Sequence, residues 1–170
     1  MDLQDTLLKL GKEFKLHGHT VFQGLPIAVE NRKGSVRSGV DRGGKPWRTV
    51  MKMPYGYIKG SKGADGEAVD VFVGPHEDAT HAFVVHQHKP DGTGYDEDKV
   101  MLGLRNLKEA IKSYLQHYNS KKFLGPVKAV PMERLKELLA SGKKLIKISS
   151  TDETMWAGFI DELTAIEARG

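Results

Sequence analysis

Apolar and polar residues alternate over short stretches through most of the chain, which is the period of β-strands. The clearest case is Val69, Val71 and Val73, which alternate with Asp70 and Phe72. The pattern predicts a strand with one buried face, with Asp70 projecting from the opposite face beside Phe72. The other predicted strands are Pro26–Glu30, Ser35–Val40, Trp47–Met51, Thr80–Gln87, Gly125–Pro131 and, as a strand or extended tail, Lys143–Ile148.

Helical spacing of apolar residues follows the strands. The clearest predicted helix is Leu107–Tyr118, with Asn106 as its N-cap and the Tyr118 hydroxyl emerging near Lys121 and Lys122. A second predicted helix, Met132–Ala140, is ended by Ser141-Gly142. Amphipathic helices are also predicted for residues 3–14 and Asp152–Ala168.

Length and composition predict one main domain with a core. The 170 residues divide into a helical extension (1–16), the main domain (17–148) and a C-terminal helix (149–170). No apolar run approaches membrane-spanning length, and the N-terminus lacks a signal-peptide pattern. There are no cysteines, which excludes disulfides and thiolate metal sites and fits the cytoplasm.

The net charge of +4 suits a phosphate-bearing partner, although a solvated surface would give the same balance. Alternation along the strands aims some of these cations at one face, and Arg suits a bidentate grip on phosphate oxygens. Nucleic-acid binding ranks lowest, because few aromatic residues are placed for base stacking. The cations between Val21 and Met53 are Arg32, Lys33, Arg37, Arg42, Lys45, Arg48 and Lys52.

Carboxylates gather just before the Val69–Val73 strand. Asp65 and Glu67 lie in a glycine-rich turn, and Asp70 follows in the strand. Three carboxylates this close repel one another, and a hard divalent cation would relieve the repulsion. The alternative is an ordinary Asp-Gly turn in which Asp70 caps a loop edge.

A second acidic group follows a turn at residues 90–94, with Lys99 directly after it. If the flanking strands are antiparallel neighbours, the two acidic groups converge as a multi-metal site requires; otherwise these are solvated turns. His86 and His88 are interpreted as solvated residues at a strand end. The second group is Asp91, Asp96, Glu97 and Asp98.

The run Tyr55-Gly56-Tyr57-Ile58, followed by Asp65-Gly66-Glu67-Ala68-Val69-Asp70-Val71, resembles the signature of the soluble family I inorganic pyrophosphatases. The resemblance runs patchily from Leu25 to Tyr118 and is closest to diverged domains from phage and prophage genomes. It implies an α+β fold with a mainly β core: a small closed OB-like β-barrel with flanking helices.

The resemblance also implies roles. Asp65 and Asp70 would ligate Mg²⁺, and Glu67, where the family has Asp, would help activate the attacking water. Gly39 stands where the family has a second Glu. The remaining implied metal ligands are Glu30, Asp91 and Asp96, with Glu97 or Asp98 as alternatives. The implied substrate contacts are Tyr55, Arg37, Lys99, Tyr118, one arginine-like cation (Arg48, with Arg42 or Lys45 as alternatives) and one late lysine (Lys121, with Lys122 as the alternative).

The expected function is therefore Mg²⁺-dependent hydrolysis of pyrophosphate or of another phosphoanhydride, in a protein that is homo-oligomeric if it follows its relatives. The alternative is a barrel module that has lost catalysis and binds phosphate-rich or protein partners, such as those of a phage particle. Gly39, Glu67 and the two terminal helices favour that alternative.

Overall fold

A computed structural model describes residues 18–63 and 65–145, together with the backbone of 153–155. The predicted helix at 3–14, the extension 1–16 and most of the C-terminal helix lie outside these residues. The strands are β1 (His19–Phe22), β2 (Leu25–Asn31), β3 (Val36–Val40), β4 (Pro46–Val50), β5 (Tyr55–Ile58), β6 (Asp70–Val73), β7 (His81–His88), β8 (Tyr95–Leu102), β9 (Val127–Pro131) and β10 (Glu153–Met155). The helices are α1 (Leu107–Leu115) and α2 (Met132–Ser141), with a 3₁₀ turn at Lys121–Phe123.

Eight strands form one sheet in the order β1-β2-β5-β6-β8-β7-β9-β10, and β3 and β4 form a separate hairpin. Every described strand pair is antiparallel except β6 with β8, which is parallel. The α+β class and the curled OB-like sheet are confirmed. Among the described residues, the pairs form an open series that ends at β1 and β10, and not a closed ring.

Both faces of the sheet are buried, which corrects the prediction of a single buried face for the Val69–Val73 strand. Val71 packs in a core with Leu135 of α2, and Phe72 packs on the other face with Ile111 of α1. Their exposed fractions are 0% and 1%. The alternation therefore separates two cores, and Asp70 and Val73, at the two ends of β6, are half-buried.

The helix boundaries follow local chemistry. At the start of α1, the Asn106 side chain accepts a hydrogen bond from the Glu109 amide at 2.8 Å, as predicted for an N-cap. The helix ends at Leu115, three residues earlier than predicted. At the end of α2, Gly142 has φ +71°, a conformation that glycine adopts without a Cβ penalty.

Two predictions are wrong at the strands. His86 is buried, not solvated, and its Nδ1 lies 2.6 Å from Oδ1 of Asp98, because β8 and β9 flank β7 on both sides. Residues 153–155 form β10 on the edge of β9, not the start of a helix. Within residues 18–63 and 65–145, neither helix has the length and apolar character of a membrane span, and the longer one has ten residues.

Gly56→Ala should destabilise the protein, because the backbone of the neighbouring strand β2 lies directly against this residue. A Cβ built on Gly56 would lie 1.8 Å from the carbonyl oxygen of Ala28, so the β2–β5 pair would have to separate. We expect a loss of about 3 kcal/mol or more in the free energy of unfolding, measured with urea. The matched control is Gly43→Ala in the β3–β4 turn, where the nearest atom is 3.4 Å away. Equal losses in both variants would contradict the close approach.

Candidate active site

The Lys99 ammonium group is the centre of the candidate site. It is 3% exposed and donates hydrogen bonds to the hydroxyl of Tyr55 at 2.8 Å and to Oδ2 of Asp70 at 2.6 Å. It also forms an ion pair with Oε1 of Glu97 at 2.9 Å. Burial alone would lower the pKa of Lys99, but the surrounding phenol and carboxylate oxygens raise it well above its ordinary value. The group is therefore charged at neutral pH.

Strand register brings these side chains together. Tyr57 of β5 pairs with Asp70 of β6, and Asp70 pairs with Lys99 of β8. Glu97 lies two residues before Lys99 and therefore shares its face of β8. The two acidic groups converge at Asp70 and Glu97, but the predicted reason was wrong. The strands β6 and β8 are parallel neighbours, because β7 lies on the far side of β8.

The β3–β4 hairpin adds a second cation to the site. The guanidinium carbon of Arg37 lies 4.7 Å from the ring centre of Tyr55 and 5.4 Å from that of Trp47, within cation–π range of both. Glu30 belongs to the same group of charges. Burial raises the pKa of its carboxyl, and Asp70 adds to the rise, whereas Arg37 and Lys99 oppose it.

Two tyrosine hydroxyls complete the site. Burial raises the pKa of Tyr55, and Lys99 acts in the opposite direction, so its phenol is protonated at neutral pH. The Tyr118 hydroxyl is buried and has no hydrogen-bond partner among the described residues. Burial also raises the pKa of Tyr118, while Lys99 and Arg37 lower it. This hydroxyl therefore lies within the electrostatic field of Lys99 and Arg37. The prediction that it emerges into solvent is wrong.

The profile of the family described as Inorganic Pyrophosphatase matches residues 9–140, which is more than half of the chain. The chain belongs to the inorganic pyrophosphatase family. The matched segment contains every residue of the site around Lys99. Comparison with curated proteins finds no match.

The acidic residues of this pyrophosphatase-family chain suit Mg²⁺ in kind, because carboxylate oxygens are the donors that this ion prefers. Lys99 contacts Oδ2 of Asp70 and Oε1 of Glu97, so the second oxygen of each carboxylate is left as a potential metal ligand. Burial raises the pKa of Glu97, and Lys99 opposes that rise. Among residues 18–63 and 65–145, however, no three Asp, Glu or His side chains are grouped closely enough to hold a metal ion.

Four other predicted acidic residues lie apart from Lys99. Asp65 and Glu67 are exposed in their turn, where Oδ1 of Asp65 accepts a hydrogen bond from the Glu67 amide at 3.0 Å. Asp91 is fully exposed and bonds to Thr93, and these hydrogen bonds lower its pKa. Asp96 is exposed, at the irregularity where the pairing of β8 with β7 shifts by one residue. The structure therefore favours Glu97 over Asp96 as the partner of Asp70.

Two predicted cations also lie away from the centre. Arg48 pairs with Ser38, on the exposed face of the hairpin and opposite to Arg37. Lys121 is exposed at the start of the 3₁₀ turn.

Trp47, whose indole packs on Gly39, was not among the predicted site residues. A Cβ built on Gly39 would lie 2.6 Å from this ring, so glycine at this position makes room for it. The sequence of the turn at Asp41–Lys45 could have predicted the position of Trp47, because the turn sets the register of the hairpin. Strands closed by that turn pair Gly39 with Trp47 and place both on the Arg37 face.

His117 was also missed, and it ties the hairpin to α1. Its Nδ1 lies 2.7 Å from the carbonyl oxygen of Ser113, and its Nε2 accepts a hydrogen bond from the Lys52 amide at 3.0 Å. These two contacts require a neutral ring with the proton on Nδ1. Burial lowers the pKa of His117, and the carbonyl of Ser113 opposes this effect.

This arrangement predicts a loss of stability at mildly acidic pH. The pKa of His117 is lower in the folded protein than in the unfolded chain, so the unfolded chain binds more protons as the pH falls below about 6.5. The stabilisation from His117 is complete above that pH and is lost below it. Urea unfolding at pH 7.5 and pH 5.5 should show a larger drop for the natural chain than for His117→Gln. Equal drops would show that His117 is not held neutral.

Proposed function

We propose that the protein hydrolyses the phosphoanhydride bond of inorganic pyrophosphate, with Mg²⁺ as its cofactor. The observation that carries this proposal is the Lys99 ammonium, which is held by Tyr55, Asp70 and Glu97 with the Arg37 guanidinium over the Tyr55 ring. Membership of the pyrophosphatase family supports it. The two cations suit a small, dense phosphate anion, and the two carboxylates suit the Mg²⁺ ion that would accompany it.

The side chains of the chain itself would bind and orient the anion. Phosphate oxygens can replace the carboxylates as partners of Lys99, because ammonium donors are not tied to one acceptor geometry. Arg37 can grip two oxygens at once, and the protonated Tyr55 hydroxyl can donate to a third. These donors would act on the charge that develops on the leaving phosphate.

Asp70 and Glu97 would hold Mg²⁺ through the oxygens that Lys99 does not occupy. Glu30, which belongs to the same group of charges, would be a further ligand, and Asp65 would become one if its exposed turn moves inward. When bound, the ion neutralises phosphate oxygens and lowers the pKa of coordinated water. Glu67 would accept the proton of the attacking water. Its exposed position requires the turn at 65–67 to move towards Asp70 when the ligands bind.

A second candidate function is binding of phosphate ligands without hydrolysis. It is favoured by the absence of a group of three metal-ligating side chains among the described residues and by the exposed position of Glu67. In that case, the Lys99 and Arg37 site would keep its affinity for the anion, and the chain would serve as a binding module of a larger assembly.

The test is release of phosphate from pyrophosphate with and without Mg²⁺. We expect Mg²⁺-dependent turnover that falls at least about 100-fold in Asp70→Asn and Glu97→Gln, because each change removes a charge that faces the reacting groups. Asp96→Asn is the matched control: it removes the same charge from an exposed residue of β8 and should retain most of the activity. Thermal unfolding of all three variants checks that the fold persists.

Turnover that survives Asp70→Asn in a folded protein would remove this residue from the mechanism. Turnover that is equal without Mg²⁺ would contradict the cofactor. Calorimetric binding of pyrophosphate by a natural chain that releases no phosphate would instead favour the binding module.

Arg37 and Arg48 provide a matched pair for substrate binding, since both lie on the hairpin and carry the same charge. Arg37→Ala should lower kcat/KM for pyrophosphate about 10- to 100-fold, the usual loss for a hydrogen bond between charged groups. Arg48→Ala should lower it less than about threefold, because Arg48 is exposed and starts from the opposite face of the hairpin, although it lines the same cavity as Arg37. Similar effects of the two changes would indicate only a long-range effect of net charge, which added salt would remove.

A further inference from the structure

A cavity of about 600 Å³ opens beside the candidate site. Trp47 and Phe123 line it, and it shares Arg37 and Tyr118 with the group around Lys99. Its size falls within the usual range for small-molecule sites. Inorganic pyrophosphate has no apolar surface to bury, so it does not account for the aromatic part of this space.

The cavity adjoins the group around Lys99 through Arg37, which belongs to both. The Arg37 guanidinium lies between Trp47 and Tyr55, 5.4 Å from one ring centre and 4.7 Å from the other. The two ring centres are therefore at most about 10 Å apart, the two distances added. Tyr55 in turn accepts the hydrogen bond from Lys99. Arg37 thus lies where the cavity meets the group around Lys99.

The walls suit a flat, polar-edged group. The indole of Trp47 has its place because Gly39 leaves room for it. Phe123 packs on Tyr118, with ring centres 5.3 Å apart, and fixes the other aromatic wall. Thr49, Asn119 and Ser120 add hydrogen-bonding side chains to the lining. Stacking on aromatic rings, combined with polar groups at the ring edge, is how proteins bind nucleobases.

We propose that this cavity binds the base of a nucleoside diphosphate whose phosphates reach Lys99. The inference rests on the proposed hydrolase function and names its substrate class. In the reaction, the oxygen of water bonds to the terminal phosphorus, and the bond from that phosphorus to the bridging oxygen breaks. The bridging oxygen keeps the electron pair and leaves on nucleoside monophosphate, while the proton of water passes to a carboxylate of the site. The products are phosphate and nucleoside monophosphate.

The first experiment compares kcat/KM for pyrophosphate with kcat/KM for ADP, GDP, CDP and UDP, all with Mg²⁺. We expect turnover of at least one nucleotide. Trp47→Ala should lower its kcat/KM at least about tenfold more than that of pyrophosphate, in line with the loss of one base-stacking contact. Trp47→Phe should recover part of the loss. If Trp47→Ala leaves the ratio between the two substrates unchanged, the assignment of this cavity is wrong.

Gly39→Ala tests the same wall without removing the ring. Its Cβ would displace the indole, so it should lower the nucleotide-to-pyrophosphate ratio in the same direction as Trp47→Ala. Ser38→Ala, on the exposed face of the same strand, is the control and should leave the ratio as it is. A ratio that falls equally in both variants would overturn the role of the Gly39–Trp47 pair.

Binding provides a readout that does not depend on turnover. In a Trp156→Phe background, Trp47 is the one remaining tryptophan. Saturable quenching of its fluorescence by AMP, GMP, CMP or UMP is expected, and Phe123→Ala should weaken it. If quenching occurs but neither substrate class is hydrolysed, the nucleotide site stands and the proposed function fails. If pyrophosphate is hydrolysed but no nucleotide is cleaved or quenches, the inference is overturned and the proposed function stands. Preference for an alkyl diphosphate over all four nucleotides would also overturn it.

Discussion

The buried ammonium of Lys99 is the constraint on which the rest of the site depends. Removing such a charge from water costs several kcal/mol unless it is paired and hydrogen-bonded. An ammonium has three donors, and here they meet the phenol of Tyr55 and the carboxylates of Asp70 and Glu97. A slip of one residue between β6 and β8 would turn Asp70 or Lys99 to the opposite face and leave the charge buried without its partners. The same strand register is therefore required both for a stable sheet and for the candidate active site.

The two cores explain why this charged group can sit inside a small domain. One face of the sheet packs under α2, and the other packs under α1, where Tyr114 stacks on Tyr118 at 4.3 Å between ring centres. The site lies at the edge of the second core, so its aromatic rings shield Lys99 from water while the Asp70 side stays half-open. The separate hairpin then brings Arg37 over Tyr55, and His117 fixes the base of that hairpin on α1.

Much of the fold could be predicted from local pattern. The alternation of Val69, Val71 and Val73 located β6, and the Asn106 cap and Gly142 located the start of α1 and the end of α2. Period alone does not say what covers each face, so Phe72 and His86 were expected to be more accessible than they are. It does not give strand order either, and the parallel pairing of β6 with β8 depends on contacts distant in sequence. For the same reason, only the contact with Lys99 distinguishes Glu97 from its neighbour Asp96.

Two of the three partners of Lys99 are far from it along the chain: Asp70 is 29 residues away and Tyr55 is 44 residues away. Contacts of such high sequence separation form late in folding, because a large loop must close, at a cost in entropy, before the contact can stabilise the chain. The parallel β6–β8 pair can form only after the chain has passed through β7 and returned. No short fragment of this protein can therefore contain a working site, and the assembly of the Lys99 centre reports completion of the central sheet.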